Sequence, residues 1–324
     1  MSPTGVLLLG FGGPDSLGSV EPFMCALMGR QPSPELVQRI CGNYDAIGGK
    51  SPLLDIANDI AEGLAGRLGE LGHDVVVRVG MRYWHPYIAD SLRELAEAGC
   101  ERVVTVSLSP FESKVASGQY RLAIAEALDS IGQIEIVEAP LVSELPAFAD
   151  FLAESTTVAM SGLANEDNCV VAFTAHSLPE ADLEVDDPYV AGLRRIAAAI
   201  AQRLGWSAGS EGAGAPLLEG FSAFGTVRSP QPWLVVYQSK GARPGAWLEP
   251  SLDDLIGAAS ASGVASVVVC PIGFMTDHME TLFDLDTVAA ARADEAGVAF
   301  VRAPVPNDDE LVVTALARAV GSLV

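Results

Sequence analysis

The sequence predicts an α/β protein of two similar Rossmann-like domains, each a parallel sheet flanked by helices, with the active-site cleft between them. Three observations carry that expectation. Short apolar runs alternate with longer segments of helical period along the whole chain, the order that gives parallel strands joined by right-handed crossovers. The length, 324 residues, suggests about two domains. The two halves also resemble one another: AGCERVVTVSLSPF (Ala98 to Phe111) lines up with SGVASVVVCPIGF (Ser262 to Phe274), and GVLLLGFGGPD with VVAFTAHSLPE. Duplication of one α/β unit is the simplest account, with convergence among buried strands as the competing one. The domains are expected at 1–145 and 146–324, with a final helix, 308–322, that can pack back on the first.

Taken in order, Gly5 to Gly10 is an apolar run that stops at Gly12, Gly13 and Pro14, a buried strand followed by a turn. Helical patterns follow over Val20 to Met28, Pro34 to Ile47 and Leu53 to Leu71, with Ser51 and Pro52 as start signals of the third. The next strand, Asp74 to Val79, ends in Gly80, Met81 and Arg82. GFGGP is not GxGxxG and no acidic residue closes that strand, so the dinucleotide fingerprint is absent. Ile88 to Ala98 reads as a helix, Arg102 to Leu108 as a strand, Ser117 to Ser130 as a helix and Ile134 to Val137 as a strand.

In the second half, helices over Pro146 to Met160, Val190 to Leu204, Leu252 to Ala261 and Asp308 to Ser322 alternate with strands. Those strands are Cys169 to Thr174, Leu234 to Tyr237, Ser266 to Cys270 and Ala299 to Arg302. Trp206 to Pro232, rich in Gly, Ala, Ser and Pro, reads as a long surface loop.

Composition narrows the function classes. With 49% hydrophobic residues and a positive mean hydropathy the chain can bury a large core. A formal charge of -23, without Lys and Arg clusters, disfavours nucleic acid and anionic membrane as partners. No apolar segment is long enough to span a bilayer, and the N-terminus lacks a secretory pattern. Five scattered cysteines without a CxxC pair argue against a zinc ribbon or disulfide framework, and the cytoplasm is the expected compartment.

Chemistry concentrates in Val267 to Asp286, VVVCPIGFMTDHMETLFDLD. A β-branched strand breaks at Pro271 and Gly273, and Asp277, His278, Glu280, Asp284 and Asp286 follow. At helical spacing Asp277, Glu280 and Asp284 share one face, an acidic stripe beside a strand's carboxyl end where α/β sheets bind ligands. A solvated first turn favoured by the helix dipole would explain the same run. His176 follows another apolar strand directly, so its imidazole and Glu280 can face one another from topologically equivalent places. An imidazole satisfied by nearby backbone is the structural alternative. His85 and His278 read as structural, and His73, between a helix and a strand, as exposed.

Six segments in order resemble the ferrochelatase family: LLLGFGGP, YDAIGGKSPL (Tyr44 to Leu53), GMRYWHP (Gly80 to Pro86), FTAHSLP (Phe173 to Pro179), YQSKGARPGAWLEP (Tyr237 to Pro250) and PIGFMTDHMETLFDLD (Pro271 to Asp286). The resemblance implies a chelatase-like fold and insertion of Fe²⁺ into a porphyrin, coproporphyrin III or protoporphyrin IX, in haem biosynthesis. It implies that His176 and Glu280 hold or pass the ion and accept protons, with Asp284 on an acidic relay. It implies porphyrin contacts from Phe11, Tyr44, Trp247 and Met275, and from Ser51 to a propionate. Leu27, Met28 and Asn43 stand where relatives often carry arginines, which leaves Arg30 as the nearby cation. Phe11 stands where some relatives place an iron-ligating tyrosine. The chain ends at Val324 without the cysteine-bearing extension of some relatives, so no resident cofactor and no 2Fe–2S cluster is expected. The partners expected are the porphyrin and Fe²⁺ alone, with the protein a monomer. The alternatives are a chelatase for another metal or tetrapyrrole, and a porphyrin- or haem-binding protein without turnover.

Overall fold

The computed structural model describes residues 2–206, 232–241 and 243–324. The loop expected over Trp206 to Pro232 therefore falls, from 207 to 231, outside the described residues. The chain divides into two compact units, one of Met1–Ala147 with Met275–Met279 and Pro306–Val324, the other of Phe148–Phe274 with Glu280–Val305.

In the first unit β1 (Thr4–Gly10), β2 (Val75–Met81), β3 (Arg102–Ser107) and β4 (Glu135–Glu138) form a parallel sheet of order β2-β1-β3-β4. Val6, Leu7 and Leu8 of β1 are fully buried, as a strand covered on both faces requires, which is why the run shows no polar alternation. Its helices are α1 (Val20–Met28), α2 (Pro34–Ala46), α3 (Leu53–Glu70), α4 (Ile88–Glu97) and α5 (Ser117–Ile131). Leu7 and Leu9 pack with Ile88, Leu92 and Leu95 of α4 and with Tyr120 and Ile124 of α5. Strand β2 runs on through Gly80 rather than ending there. A Cβ at Gly80 would lie 3.0 Å from the Ile88 Cα, so this glycine lets α4 approach the sheet instead of terminating the strand.

The second unit repeats the plan. It contains α6 (Pro146–Ser161), which starts two residues before it, β5 (Cys169–His176), α7 (Pro188–Arg203), β6 (Trp233–Gln238), α8 (Leu252–Ala261), β7 (Ser266–Cys270), α9 (Met279–Leu282), whose first residue belongs to the first unit, α10 (Ala290–Glu295) and β8 (Ala299–Arg302). Its parallel sheet has the order β6-β5-β7-β8. Thus β1 and β5 take the same central place, as do β3 and β7, matching the pairs that the sequence aligns. Helix starts carry the signals their sequences suggest: Ser33 caps α2 before Pro34, Asp187 caps α7 before Pro188, and Ser251 and Asp254 form a capping box on α8. The last helix, α11 (Glu310–Gly321), belongs to the first unit and packs on α3, where Gly63 leaves room for Val313. His73, expected to be exposed, is half-buried, and its ring approaches Gly321 at the end of α11. No helix among the described residues is long and apolar enough to cross a membrane.

An ion network ties α5 to its surroundings: Arg121 donates to Glu112 and to Glu138 at the end of β4, with contacts of 2.8 Å to each. Arg121 holds the Glu112 carboxyl below its ordinary value of 4.5, so the stabilisation is complete above that pH and is lost as pH falls through the lowered value. All three side chains are substantially exposed, which limits the pair energies. In urea unfolding at neutral pH, Arg121→Ala should cost about 1 kcal/mol or less. The difference should shrink in high salt and on acidification below pH 4.5.

Candidate active site

Strand pairing places the central residues. β5 lies between β6 and β7, with Phe173 opposite Cys270 and His176 opposite Gln238. The sequence reading ended this strand at Thr174; it continues to His176 because β6 also extends, to Gln238, and supplies the pairing. His176 is thus the last strand residue, and its side chain is about one-third exposed.

Beyond β7 the chain turns tightly, and the Gly273 N–H donates to the Thr174 carbonyl at 3.0 Å. A Cβ on Gly273 would lie 2.6 Å from the Ala175 Cβ, so only glycine fits at this crossing. The short helix α9 then presents Glu280. The Glu280 Oε1 lies 3.7 Å from the His176 Nε2. That is beyond a hydrogen bond, but it suits two donors about 2.1 Å from one cation, which lie roughly 3 to 4.2 Å apart for bond angles from 90° to 180°. Among the described residues no group of three or more His, Cys, Asp and Glu could cage a metal ion.

The acidic stripe expected on one α-helical face is not formed. Asp277 lies before α9, in the first unit, where its N–H donates to the Asn307 Oδ1 at 2.7 Å and its carboxylate accepts from the Asn307 Nδ2 at 2.9 Å. Glu280 sits in α9, whereas Asp284 opens a π-helical turn, Asp284–Ala289, in which the Val288 N–H donates to the Phe283 carbonyl at 2.9 Å. The wider turn breaks the 3.6-residue spacing on which the stripe depended. Asp284 accepts from the Ser239 Oγ at 2.5 Å. Burial raises its carboxyl above the ordinary value of 3.8, the Ser239 hydrogen bond opposes that, and Glu280 adds to it. Asp286 points elsewhere and takes a two-pronged ion pair from Arg302 of β8.

Two motif segments that are distant in sequence are zipped together. The Leu248 N–H donates to the Leu178 carbonyl and the Glu180 N–H to the Ala246 carbonyl, both at 2.9 Å, and Trp247 bridges Pro179. Trp247 is buried, and its indole N–H donates to the Arg243 carbonyl. In the first unit Phe11, Tyr44, Phe23 and Trp84 share one apolar cluster, and Phe11 lies 4.8 Å from the Tyr83 ring. Ser51 is buried beside Gly13, and its Oγ accepts from the Leu53 N–H, leaving its own proton to donate. Arg30 is exposed just past α1, and Met275 is buried, its carbonyl accepting from the Asn307 N–H. His176, Glu280, Asp284 and Trp247 therefore belong to the second unit, and Phe11, Arg30, Tyr44, Ser51 and Met275 to the first.

Two residues at this site escaped the sequence reading. Tyr189, whose Oη donates to the His176 carbonyl at 2.9 Å, is fully buried, and burial pushes its phenol well above the ordinary value of 10, so it stays a donor. Its only signal was the Asp-Pro start of α7. Gln238 packs between His176 and Glu280, and its signal was the motif YQSK that contains it.

Two parallel sheets of one topology, with an imidazole at the end of β5 and a carboxylate on the short helix α9 facing it, make up a two-unit α/β protein with a candidate cation site. The fold resembles SirB from Bacillus subtilis with Fe³⁺, at a TM-score of 0.53 and 12% identity, over 98% of this chain and 94% of that one. It also resembles CbiX, described as the terminal enzyme for biosynthesis of siroheme in denitrifying bacteria, at a TM-score of 0.51 and 13% identity over 99% of each chain. At such identities the likeness is one of fold. The chain belongs to the ferrochelatase family, whose model, described as Ferrochelatase, matches residues 3–323. A ferrochelatase of Deinococcus radiodurans is 30% identical over 98% of this chain and 95% of its own length. A coproporphyrin III ferrochelatase of Halalkalibacterium halodurans is 30% identical over 94% and 91%, and one of Mycobacteroides abscessus 32% identical over 94% and 84%.

Because Gly273 lies against the backbone beside His176, Gly273→Ala should destabilise the protein by about 1–3 kcal/mol in chemical denaturation, as overpacking does elsewhere. In the folded fraction it should also lower metal-insertion activity, whereas Gly257→Ala, in open space, should do neither.

Proposed function

We propose that the protein inserts Fe²⁺ into coproporphyrin III, and that His176 and Glu280 carry the chemistry. The observation that carries the roles is the 3.7 Å separation of the His176 Nε2, at the end of β5, and the Glu280 Oε1, on α9. A substrate ion has to be held and then given up. Two protein donors with the remaining positions left to water and incoming pyrrole nitrogens meet that need, where a full cage would retain the ion.

Insertion exchanges two pyrrole protons for one Fe²⁺, so the site needs acceptors as well as ligands. An imidazole and a carboxylate can serve both purposes in turn, the protons leaving as the ion enters. Asp284, half-buried and hydrogen-bonded to Ser239, is the next carboxylate along the chain and the proposed relay. In this reading Phe11, Tyr44, Met275 and Trp247 contact the macrocycle, and Ser51 and Arg30 meet propionates. Coproporphyrin III is preferred because several relatives similar over most of this chain carry its name. The same proposal includes action in the cytoplasm as a monomer, with no resident cofactor.

The test is an anaerobic insertion assay, read by loss of free-porphyrin fluorescence, with coproporphyrin III beside protoporphyrin IX and Fe²⁺ beside Co²⁺ and Ni²⁺. Faster turnover of coproporphyrin III with Fe²⁺ is expected. His176→Ala and Glu280→Ala should each lose about 10²-fold or more in kcat while remaining folded. Retained turnover in both variants refutes the roles. Preference for another metal or tetrapyrrole refutes the substrate, and haem binding without insertion by the unmodified protein refutes the reaction.

A further inference from the structure

One residue touches both members of the His176–Glu280 pair without being a ligand itself. The Gln238 backbone carbonyl, which accepts from the Ser177 N–H at 2.8 Å, also lies 3.4 Å from the His176 Nδ1, and the side-chain Nε2 donates to the Glu280 carbonyl at 2.9 Å. Each contact has a chemical direction. A carbonyl oxygen only accepts, so the first favours the imidazole proton on Nδ1 and leaves the Nε2 lone pair toward Glu280, the arrangement usual for a metal-binding histidine. The second fixes the amide with its NH₂ toward α9. The Glu280 carbonyl that it engages lies just where the α-helical ladder gives way to the π-helical turn.

Two further observations separate this arrangement from simple packing. Gln238 is only 6% exposed, yet among the described residues its Oε1 is buried without a hydrogen-bond partner. A side chain there only to fill space would not bury an amide oxygen without a donor; the orphan accompanies the need for the NH₂ on the other side. The next residue, Ser239, adopts a left-handed backbone with φ 59°, an unfavourable state for a non-glycine residue, and in that conformation its hydroxyl meets Asp284. The end of β6 thus reaches His176, Glu280 and Asp284 in turn.

We propose that Gln238 is a positioning residue of the metal-insertion site, setting the histidine tautomer through its carbonyl and holding Glu280 opposite that histidine through its amide. The assignment rests on the ferrochelatase reading for the meaning of the pair, but its test does not require turnover. Co²⁺ alone, titrated into the porphyrin-free protein and followed by its visible d–d absorption, reads the pair directly, with His176→Ala as the control that abolishes the signal. Gln238→Leu keeps the carbonyl and the approximate volume but cannot donate, and Gln238→Glu keeps the length but only accepts when ionised.

Both variants should bind Co²⁺ about tenfold or more weakly, the usual cost of losing a residue that orients a ligand. The KM for Fe²⁺ should rise, with porphyrin affinity and thermal midpoint near those of the unmodified protein, which a loss of packing would not produce. If one variant fails to fold, the other decides. A folded variant that binds Co²⁺ within twofold of the unmodified protein overturns the assignment even if insertion activity is normal. Weakened Co²⁺ binding in a protein that never inserts metal would uphold it and refute the proposed reaction.

Discussion

The register of β5 against its two neighbours is the constraint on which the second unit depends. Parallel pairing sets His176 opposite Gln238, and the Gly273 N–H bonded to Thr174 brings the segment after β7 against Ala175. A slip of one residue would turn His176 to the other face of the sheet, away from Glu280. The slip is opposed by the core itself: Ala172 packs among Val170, Val267, Val269, Leu255, Ile256 and Leu285, where its neighbour Phe173 would be far too large. Hydrophobic burial thus fixes the geometry of polar groups that contribute little to stability themselves.

Much of this was legible because the signals are local. Strands β1, β5 and β7 are short and mostly apolar, and helical periodicity places the helices to within a few residues. Helix α7 nevertheless starts at Pro188, two residues before the expected Val190, and Ser51 does not cap α3. His176 and Glu280 stood out through position and motif. What escaped depends on partners far away in the chain. Asp277 leaves the expected stripe because Asn307, thirty residues on, binds it at two points. Tyr189 reaches the site through one hydrogen bond and Gln238 through two contacts, none of which any periodicity reports. Gly80 was read as a stop, the usual meaning of glycine in a strand, where close helix packing was its purpose. The π-helical turn was invisible to a reading that assumes 3.6 residues per turn throughout.

The site also shows how a protein of net charge -23 keeps its carboxylates distinct. Asp286 is neutralised by Arg302, and Asp277 is hydrogen-bonded to an amide. Asp284 is half-buried beside a hydroxyl, and its burial raises its carboxyl above the ordinary value. Four acids within ten residues, counting Glu280, therefore have four environments, and Glu280 has its carboxylate 3.7 Å from the His176 imidazole nitrogen. Abundance of negative charge is thus no measure of affinity for a cation; placement beside a nitrogen donor is.

The repeated strand order gives the two units equivalent addresses. In the aligned segments GVLLLGFGGPD and VVAFTAHSLPE, Phe11 and His176 fall at the same address, Phe11 just after β1 and His176 as the last residue of β5, and Pro14 and Pro179 follow three residues on in both. One copy of the frame carries a hydrocarbon ring there and the other a nitrogen base. A duplicated scaffold can therefore divide labour by a single side chain at one address, because the backbone that displays it is supported by buried strands indifferent to what stands at their tips.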